Sequence, residues 1–192
     1  RLGFAMVVGT LPILLIGLGI KFVWAQGYEQ SPLRSVPSIA IVSIVMALLL
    51  ALAERVGARS KQLSVVSGRD GLLVGLAQAL ALLPGVSRSG STLTAALFDG
   101  WQRADAARFS FLLGIPAITT AGLVELKDAL AASLDTSPLP LLVGIGSAAL
   151  VSWLAIDWLL KFLQRNSTWV FVAYRLLFGL LLLVWWGFHG AH

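Results

Sequence analysis

The run Pro84-Gly85-Val86-Ser87-Arg88-Ser89-Gly90-Ser91-Thr92 gathers one guanidinium and four hydroxyls, with no carboxylate among them. Pro84 lacks an amide hydrogen and Gly85 tolerates positive φ, so a helix arriving from 71–83 must end here. A second helix beginning within Ser87–Ser91, with Ser89 or Ser91 as its predicted N-cap, turns unpaired N–H groups and the positive end of a dipole toward the break. Gly90 leaves room for close approach, and the Arg88 fork matches the oxygens of a phosphate. Everything in the run donates, so the chemistry it suits is the holding of a phosphate or diphosphate at a helix start. Serines also bond helix carbonyls, and glycines also let helices pack closely. Arg88 tips the balance, because an arginine at mid-membrane depth costs about 2.5–3.5 kcal/mol on insertion scales.

Several phosphate chemistries are excluded. No G-x-x-x-x-G-K-[ST] string is present, so there is no nucleotide P-loop. The chain has no cysteine, which rules out a cysteinyl-phosphate route and disulfides. Both histidines, His189 and His192, sit at the C-terminal tail. Membrane acid phosphatases of the lipid-phosphate type place a histidine shortly after a Ser-Arg pair, and none follows Arg88. Ser87 or Ser89 as nucleophile stays open, although neither has a histidine or lysine in the sequence nearby to activate it. The nine acids, Glu29, Glu54, Asp70, Asp99, Asp105, Glu125, Asp128, Asp135 and Asp157, fall mostly at span ends or in loops. Asp99 lies eleven residues past Arg88, roughly 12 Å or more along a helix, and reads as a cap or interfacial charge. Asp157 and Lys161 are spaced to pair one helical turn apart.

The elements that carry this run are membrane helices. The 192 residues are 58% hydrophobic and 12% charged, against about 25% charged in soluble domains. Apolar blocks close to the ~20 residues of a bilayer crossing recur along the chain. Five spans are predicted, at Leu2–Trp24, Pro37–Ala53, Phe109–Leu126, Leu139–Leu160 and Trp169–Phe188, with Pro12 and Pro116 inside two of them. Loops are predicted at 25–36 and 125–140, a charged link at 99–108, and a tight turn through Gln164, Arg165 and Asn166. Trp24, Trp101, Trp169, Trp185 and Trp186 lie near span ends, as interfacial indoles do. The basic balance of +5 comes from loop residues and does not indicate nucleic acid.

The segment 70–99 either crosses the membrane or turns back. Its first arm, Gly71–Leu83, is about 20 Å long as a helix, short of the ~30 Å core. If it turns back, Arg1, Arg55, Arg59, Lys61, Arg69, Arg103, Arg108, Lys161 and Arg165 share one face, against Lys21, Arg34 and Lys127 on the other. If it crosses, the same twelve divide evenly. The positive-inside rule favours the re-entrant reading and makes the basic face cytoplasmic. Arg175, six residues into the last span, reads as snorkelling to that face. The fold class is therefore an all-α integral membrane bundle of about five spanning helices plus one re-entrant helix pair, about 70–99. The domain expectation is a single membrane domain over 1–192.

The strings "GLAQALALLPGVSRSGSTLTAALFDG", "RADAARFSFLLGIPA" and "VAYRLLFG" together resemble the undecaprenyl-diphosphate phosphatase family, the bacitracin-resistance proteins. The resemblance covers essentially the whole chain. It implies hydrolysis of a polyprenyl diphosphate, the lipid carrier of cell-wall synthesis, in a bacterial inner membrane, by an inverted-repeat architecture with two re-entrant pairs. The family arginine maps to Arg88, its preceding serine to Ser87, and its following residues to Ser89, Gly90 and Thr92. Gln78 matches a polar place in the motif. The helix break and the resemblance together make Arg88, Ser87, Ser89 and Thr92 the candidate catalytic residues, and Gly85, Arg88, Ser89, Gly90, Ser91 and Gln78 the candidate diphosphate-binding residues. The family's first motif, glutamate-rich with a "P-V-S-S-T-G-H" turn, has no counterpart here. The chain therefore resembles the C-terminal portion of such a protein, half of the inverted repeat. A divalent cation, Mg or Ca, is implied, with its carboxylate ligands and the general base expected in the absent part. The implied partners are the lipid substrate and the bilayer, with a homodimer as the candidate assembly and no nucleic acid. The rival reading is a polyprenyl-phosphate flippase or anion transporter that uses the same broken-helix site without hydrolysis.

Overall fold

Apolar blocks of this length leave the backbone one economical way to satisfy itself in lipid, the helix. The computed structural model describes residues 1–131 and 138–189, and the described residues contain helices and no strand. The side chains of Lys127, Asp128 and Asp135, and all of His192, fall outside that description. Eight α-helices run α1 Leu2–Val23, α2 Ala25–Glu29, α3 Val36–Val56, α4 Gly68–Ala79, α5 Arg88–Phe98, α6 Arg103–Ala131, α7 Pro138–Arg165 and α8 Trp169–His189. Five of them, α1, α3, α6, α7 and α8, are long and apolar enough to cross a membrane.

The boundaries differ from expectation where polar residues sit on helices. The charged link at 99–108 is shorter than predicted, because α6 already begins at Arg103 with Asp105 in its first turn. The loop at 125–140 shrinks likewise, since α6 runs to Ala131 and α7 starts at Pro138. The loop at 25–36 contains the short helix α2 and a 3-10 turn at Pro32–Arg34 capped by Ser31. Helices α1 and α6 continue through Pro12 and Pro116.

Helices α1 and α4 pack backbone to backbone, because their facing residues are small. A Cβ on Gly75 would strike the carbonyl of Gly9, one on Gly71 that of Ala5, and one on Gly9 would come 2.5 Å from the Gly71 oxygen. Small residues four apart on both helices permit this approach. Helix α8 lies against α3 in a similar way, with Gly179 under Ile44 and the Ala40 carbonyl. Leu50, Val74, Leu97, Phe109 and Leu113 fill the space between α3, α4, α5 and α6.

One end of the bundle is tied by two charged clusters. Glu54, 2% exposed at the end of α3, accepts from Arg59 (3.0 Å), Arg103 at the start of α6 (2.9 Å from Nε) and Thr168 just before α8 (2.9 Å). Lys61 donates to Asp70 at the start of α4 and to Asp99 at the end of α5 (2.6 Å), and its backbone pairs with Gly100 and Gln102. Ser67 and Asp70 close a reciprocal capping box on α4. Helices α4 and α5 therefore begin and finish at the same end of the bundle, held by one ammonium. Burial opposes charge on both Asp70 and Lys61. The Lys61 and Ser67 hydrogen bonds nevertheless hold Asp70 below the usual carboxylate range, and Asp70 and Asp99 hold Lys61 above the usual lysine range. Asp157 and Lys161 pair at 2.7 Å as their spacing predicts. Trp101 is a correction. It is fully buried, stacked on Phe109 at 5.2 Å with its Nε1 donating to Asp99, and is a core residue rather than an interfacial indole.

Candidate anion site at the helix break

The break between α4 and α5 is built by local sequence. Leu80–Leu82 tighten the end of α4 into a 3-10 turn, and then Leu83-Pro84-Gly85-Val86 form a turn closed by the Val86 N–H on the Leu83 carbonyl (3.2 Å). Pro84 supplies the fixed φ and Gly85 the positive one (93°), as a type II turn requires. Ser87 follows at φ 66°, ψ 117°, a conformation that costs a residue with a Cβ about 1–3 kcal/mol. Such strain persists where the surroundings fix it, and here Gly85 is wedged against α3, where an added Cβ would lie 2.6 Å from the Ile39 oxygen.

Ser87 is the N-cap of α5, its Oγ accepting from the Gly90 N–H at 3.4 Å. The expected caps, Ser89 and Ser91, lie inside the helix. The type II turn is complete at Val86, so helical geometry starts sooner than predicted. The Ser91 N–H bonds the Ser87 carbonyl (3.0 Å), while the amides of Arg88 and Ser89 have no backbone acceptor among the described residues. The hydroxyls of Ser91 and Thr92 do not reach the break, contrary to expectation. Both are buried and turn back on helix carbonyls, Ser91 to Arg88 (2.9 Å) and Thr92 to Arg88 (2.9 Å), and Thr92 also meets Ser110 Oγ of α6 at 2.5 Å. Helical carbonyls one turn back are the nearest acceptors such hydroxyls have in an apolar contact.

Arg88 turns across to α6. Its Nη1 donates to the Ser110 carbonyl (3.2 Å) and to Gln78 Oε1 (3.4 Å). A Cβ on Gly114 would collide with its guanidinium, at 2.6 Å from Cζ. Gln78 is fully buried on α4, and its Nε2 has no partner. Arg175 approaches the break from α8. It is 9% exposed, donates from Nη2 to the Gly85 carbonyl at 2.7 Å, and lies so close over Gly90 that a Cβ there would strike its Nη1. The snorkelling reading of Arg175 is therefore corrected. Its helix packs on α3, and that packing aims the side chain inward at the turn rather than toward the bundle end. The signal was in the sequence, since an arginine inside an apolar span carries the same insertion cost that singled out Arg88.

Two cavities meet here. One, of about 510 Å³, is lined by Gly85, Ser87, Ser89, Gly90, Ser110 and Arg175 together with apolar side chains of α3, α7 and α8. The other, of about 970 Å³, lies between α6 and α7 with Arg88, Ser89 and Arg108 on its wall. Ser89 faces both.

The charge balance is uneven. Glu54, Asp70, Asp99 and Asp157 each have a basic partner. Arg88 and Arg175, the two arginines at the break, have none among the described residues. Two desolvated cations beside two amides without a backbone acceptor are costly without a counter-charge, which makes the break a candidate site for an anion with several oxygens. A divalent cation does not fit these residues. Among the described residues no three His, Asp or Glu side chains converge, and the break itself is lined by donors.

Two comparisons with known proteins bear on this geometry. A family model described as bacitracin resistance protein BacA matches residues 1–181. Over all 192 residues, the chain is 90% identical to a protein of Synechococcus sp. (strain CC9605) named undecaprenyl-diphosphatase, and 79% identical to one of the same name from Parasynechococcus marenigrum (strain WH8102). It covers 67% of each. A protein of that name from Prochlorococcus marinus (strain MIT 9303) is 75% identical over 186 residues, 63% of its length. The chain thus spans about two thirds of the length of these relatives.

Proposed function

This chain belongs to the bacitracin resistance protein BacA family, and from that premise we propose that its helix break grips the diphosphate of a lipid carrier between Arg88 and Arg175. The reaction is hydrolysis of undecaprenyl diphosphate to undecaprenyl phosphate and phosphate, water adding to the terminal phosphorus as the bridging P–O bond breaks. Charge accumulates on the phosphoryl oxygens and on the departing lipid phosphate. Preorganised donors in a water-poor site stabilise that charge far better than water does. Arg88, fixed by Ser110, Gln78 and the close approach of Gly114, presents its remaining N–H groups to one phosphate. Arg175, fixed on the Gly85 carbonyl, presents its own to the other, and the amides of Arg88 and Ser89 complete the cradle. Gln78 Nε2, buried without a partner, supplies a further donor. Gly90 keeps the floor of the site open. Ser87, strained and exposed at the turn, stands where a reacting hydroxyl or a water-positioning group would be placed.

No described residue supplies a general base at the break, so water activation and the cation implied by the family's chemistry are assigned to residues other than those at this site. A divalent cation would neutralise diphosphate charge, a task the two guanidinia here share. The setting we infer is the bacterial inner membrane, with the Glu54 and Lys61 clusters at the cytoplasmic end. In that setting α4 and α5 form a re-entrant pair whose turn lies within the bilayer.

The observation that carries the proposal is the pair of uncompensated guanidinia around a helix start with free amides. The test uses purified full-length protein in detergent with undecaprenyl diphosphate. Phosphate release that disappears in Arg88→Ala supports it, and undiminished release in that variant removes Arg88 from the mechanism. Lipid binding or transbilayer movement with no phosphate release favours the flippase reading.

A further inference from the structure

Glu54 is a buried carboxylate with no part in gripping the diphosphate. It gathers donors from two separate helices. Arg103, at the start of α6, reaches it through Nε at 2.9 Å, and Thr168, fully buried just before α8, through its hydroxyl at 2.9 Å. These are the two helices that carry the anchors of the break. Ser110, whose carbonyl holds Arg88, stands seven residues after Arg103, and Arg175 stands seven residues after Thr168. Seven residues of helix rise about 10.5 Å and turn within about 20° of two full turns. Ser110 and Arg175 therefore each lie two turns along from a Glu54 donor, close to the same face of their helix.

Helix α8 has little else to fix it. It rests on α3, where Val172 is buried and Gly179 meets the Ala40 carbonyl. Its other side, with Tyr174, Arg175 and Phe178, borders the cavity of about 510 Å³ rather than close-packed side chains. Among the described residues, two side-chain hydrogen bonds join 168–189 to other elements: Thr168 to Glu54, and Arg175 to the Gly85 carbonyl. The first is the tie that can hold the second in place. Buried ion pairs add little net stability over apolar packing, so a carboxylate here is better explained by what it aligns than by the energy it contributes.

We propose that Glu54 is a positioning residue for phosphate release: by holding the starts of α6 and α8 on one carboxylate, it sets the spacing between the guanidinia of Arg88 and Arg175. The proposal rests on the phosphatase reading of the break. A diphosphate at rest offers several equivalent oxygens, and guanidinia slightly out of place can still grip it. The transition state has one charge distribution and needs both guanidinia in register. Loss of the tie is therefore read in kcat and not in KM. Thr168→Val and Thr168→Ala each remove the hydroxyl and free α8 alone, leaving Glu54 with its two arginines. Thr168→Ser keeps the hydroxyl and is the rescue.

The experiment measures steady-state phosphate release from undecaprenyl diphosphate by full-length protein, below the unfolding temperature of every variant. Expected is a kcat lowered about tenfold in Thr168→Val and Thr168→Ala with KM within about twofold, and Thr168→Ser like wild type. Glu54→Gln, which loosens both helices, should lower kcat at least as far. The Thr168 variants are then repeated on Arg175→Lys. If the hydroxyl acts through Arg175, its removal there costs less than about twofold more. A Thr168 that serves only the fold would lower the unfolding temperature and leave kcat unchanged, and that result overturns the proposal. So does the full tenfold loss on the Arg175→Lys background, because the two residues would then act independently. Wild-type protein that releases no phosphate would instead sink the phosphatase reading, which keeps the two failures apart.

Discussion

Gly114→Ala separates a site built by close packing from one that merely contains an arginine. Gly114 is in mid-α6 and is not expected to touch substrate. An added methyl would sit 2.6 Å from Arg88 Cζ and 2.7 Å from Nη2, where carbon contacts normally relax to ~3.5 Å. The helix backbone cannot yield, so the guanidinium must move by about 1 Å. That displacement breaks its bond to the Ser110 carbonyl and misaims the remaining N–H groups. Misplacement of a positioned group by ~1 Å costs about 10²-fold in rate, or roughly 2.7 kcal/mol of transition-state stabilisation. Helix propensity pulls the other way, since alanine in a helix interior is about 0.5–1 kcal/mol better than glycine. The variant should therefore unfold at the wild-type temperature or above while phosphate release falls about a hundredfold. Gly122→Ala is the control. It lies on the same helix with nothing within 4 Å of its would-be Cβ, and it should gain the propensity without losing activity. Full activity in Gly114→Ala with normal folding would refute the reasoning, because Arg88 would then work from some other place.

Other consequences concern the remaining charges. Arg175→Lys keeps the charge but cannot both hold the Gly85 carbonyl and face the cavity, so kcat/KM for phosphate release should fall about tenfold or more, the worth of one charge-assisted hydrogen bond. Wild-type kinetics in that variant would exclude a role for the second N–H. Glu54→Gln leaves Arg59 and Arg103 without their carboxylate. Because both guanidinia are partly exposed, the expected loss is about 2–3 kcal/mol rather than the larger cost of a fully buried pair, read as a lower unfolding temperature at unchanged KM. The Lys61–Asp70 bond makes stability depend on pH. Asp70 titrates lower folded than unfolded, so its contribution is complete above the unfolded carboxylate pKa and is lost as pH falls through the folded value. Lys61 titrates higher folded, so its contribution is complete below the unfolded lysine pKa and is lost as pH rises through the folded value. Thermal unfolding of Asp70→Asn against pH should lack the acid-side loss, and an unchanged profile would assign that loss to other groups.

Much of the fold was legible because lipid enforces a simple rule: long apolar runs must be helices. The five spanning segments followed from that, and the break followed from Pro84 and Gly85. The ends of α6 were not legible, because Arg103, Asp105 and Arg108 read as a polar link although they stand on one helix whose other face carries Ala106, Ala107 and Phe109 into the core. The cap was placed too late because a type II turn that closes at Val86 leaves no room for a later start. In the candidate site, Arg88 and Arg175 both stood out as arginines inside apolar sequence. The direction of Arg175 was not legible, because whether an arginine in a span snorkels or turns inward depends on which helix packs beside it, and the contact of α8 with α3 is tertiary. Gly114 and Gly90 matter only because guanidinia from other elements lie over them, and no local pattern records that. Ser91 and Thr92 looked like ligands by composition, yet helix geometry supplied them with nearer acceptors.

The central claim is that Arg88 and Arg175 together hold the diphosphate. Its most direct test is equilibrium binding of a methylene-bridged undecaprenyl diphosphate analogue, which cannot be hydrolysed, to wild-type protein and to the Arg88→Gln, Arg175→Gln double variant. Two lost charge-assisted contacts at about 1.5 kcal/mol or more each predict an affinity reduced at least about a hundredfold, with each single variant intermediate. Equal affinity in wild type and double variant would mean that the diphosphate is held elsewhere and that these two arginines serve only the fold.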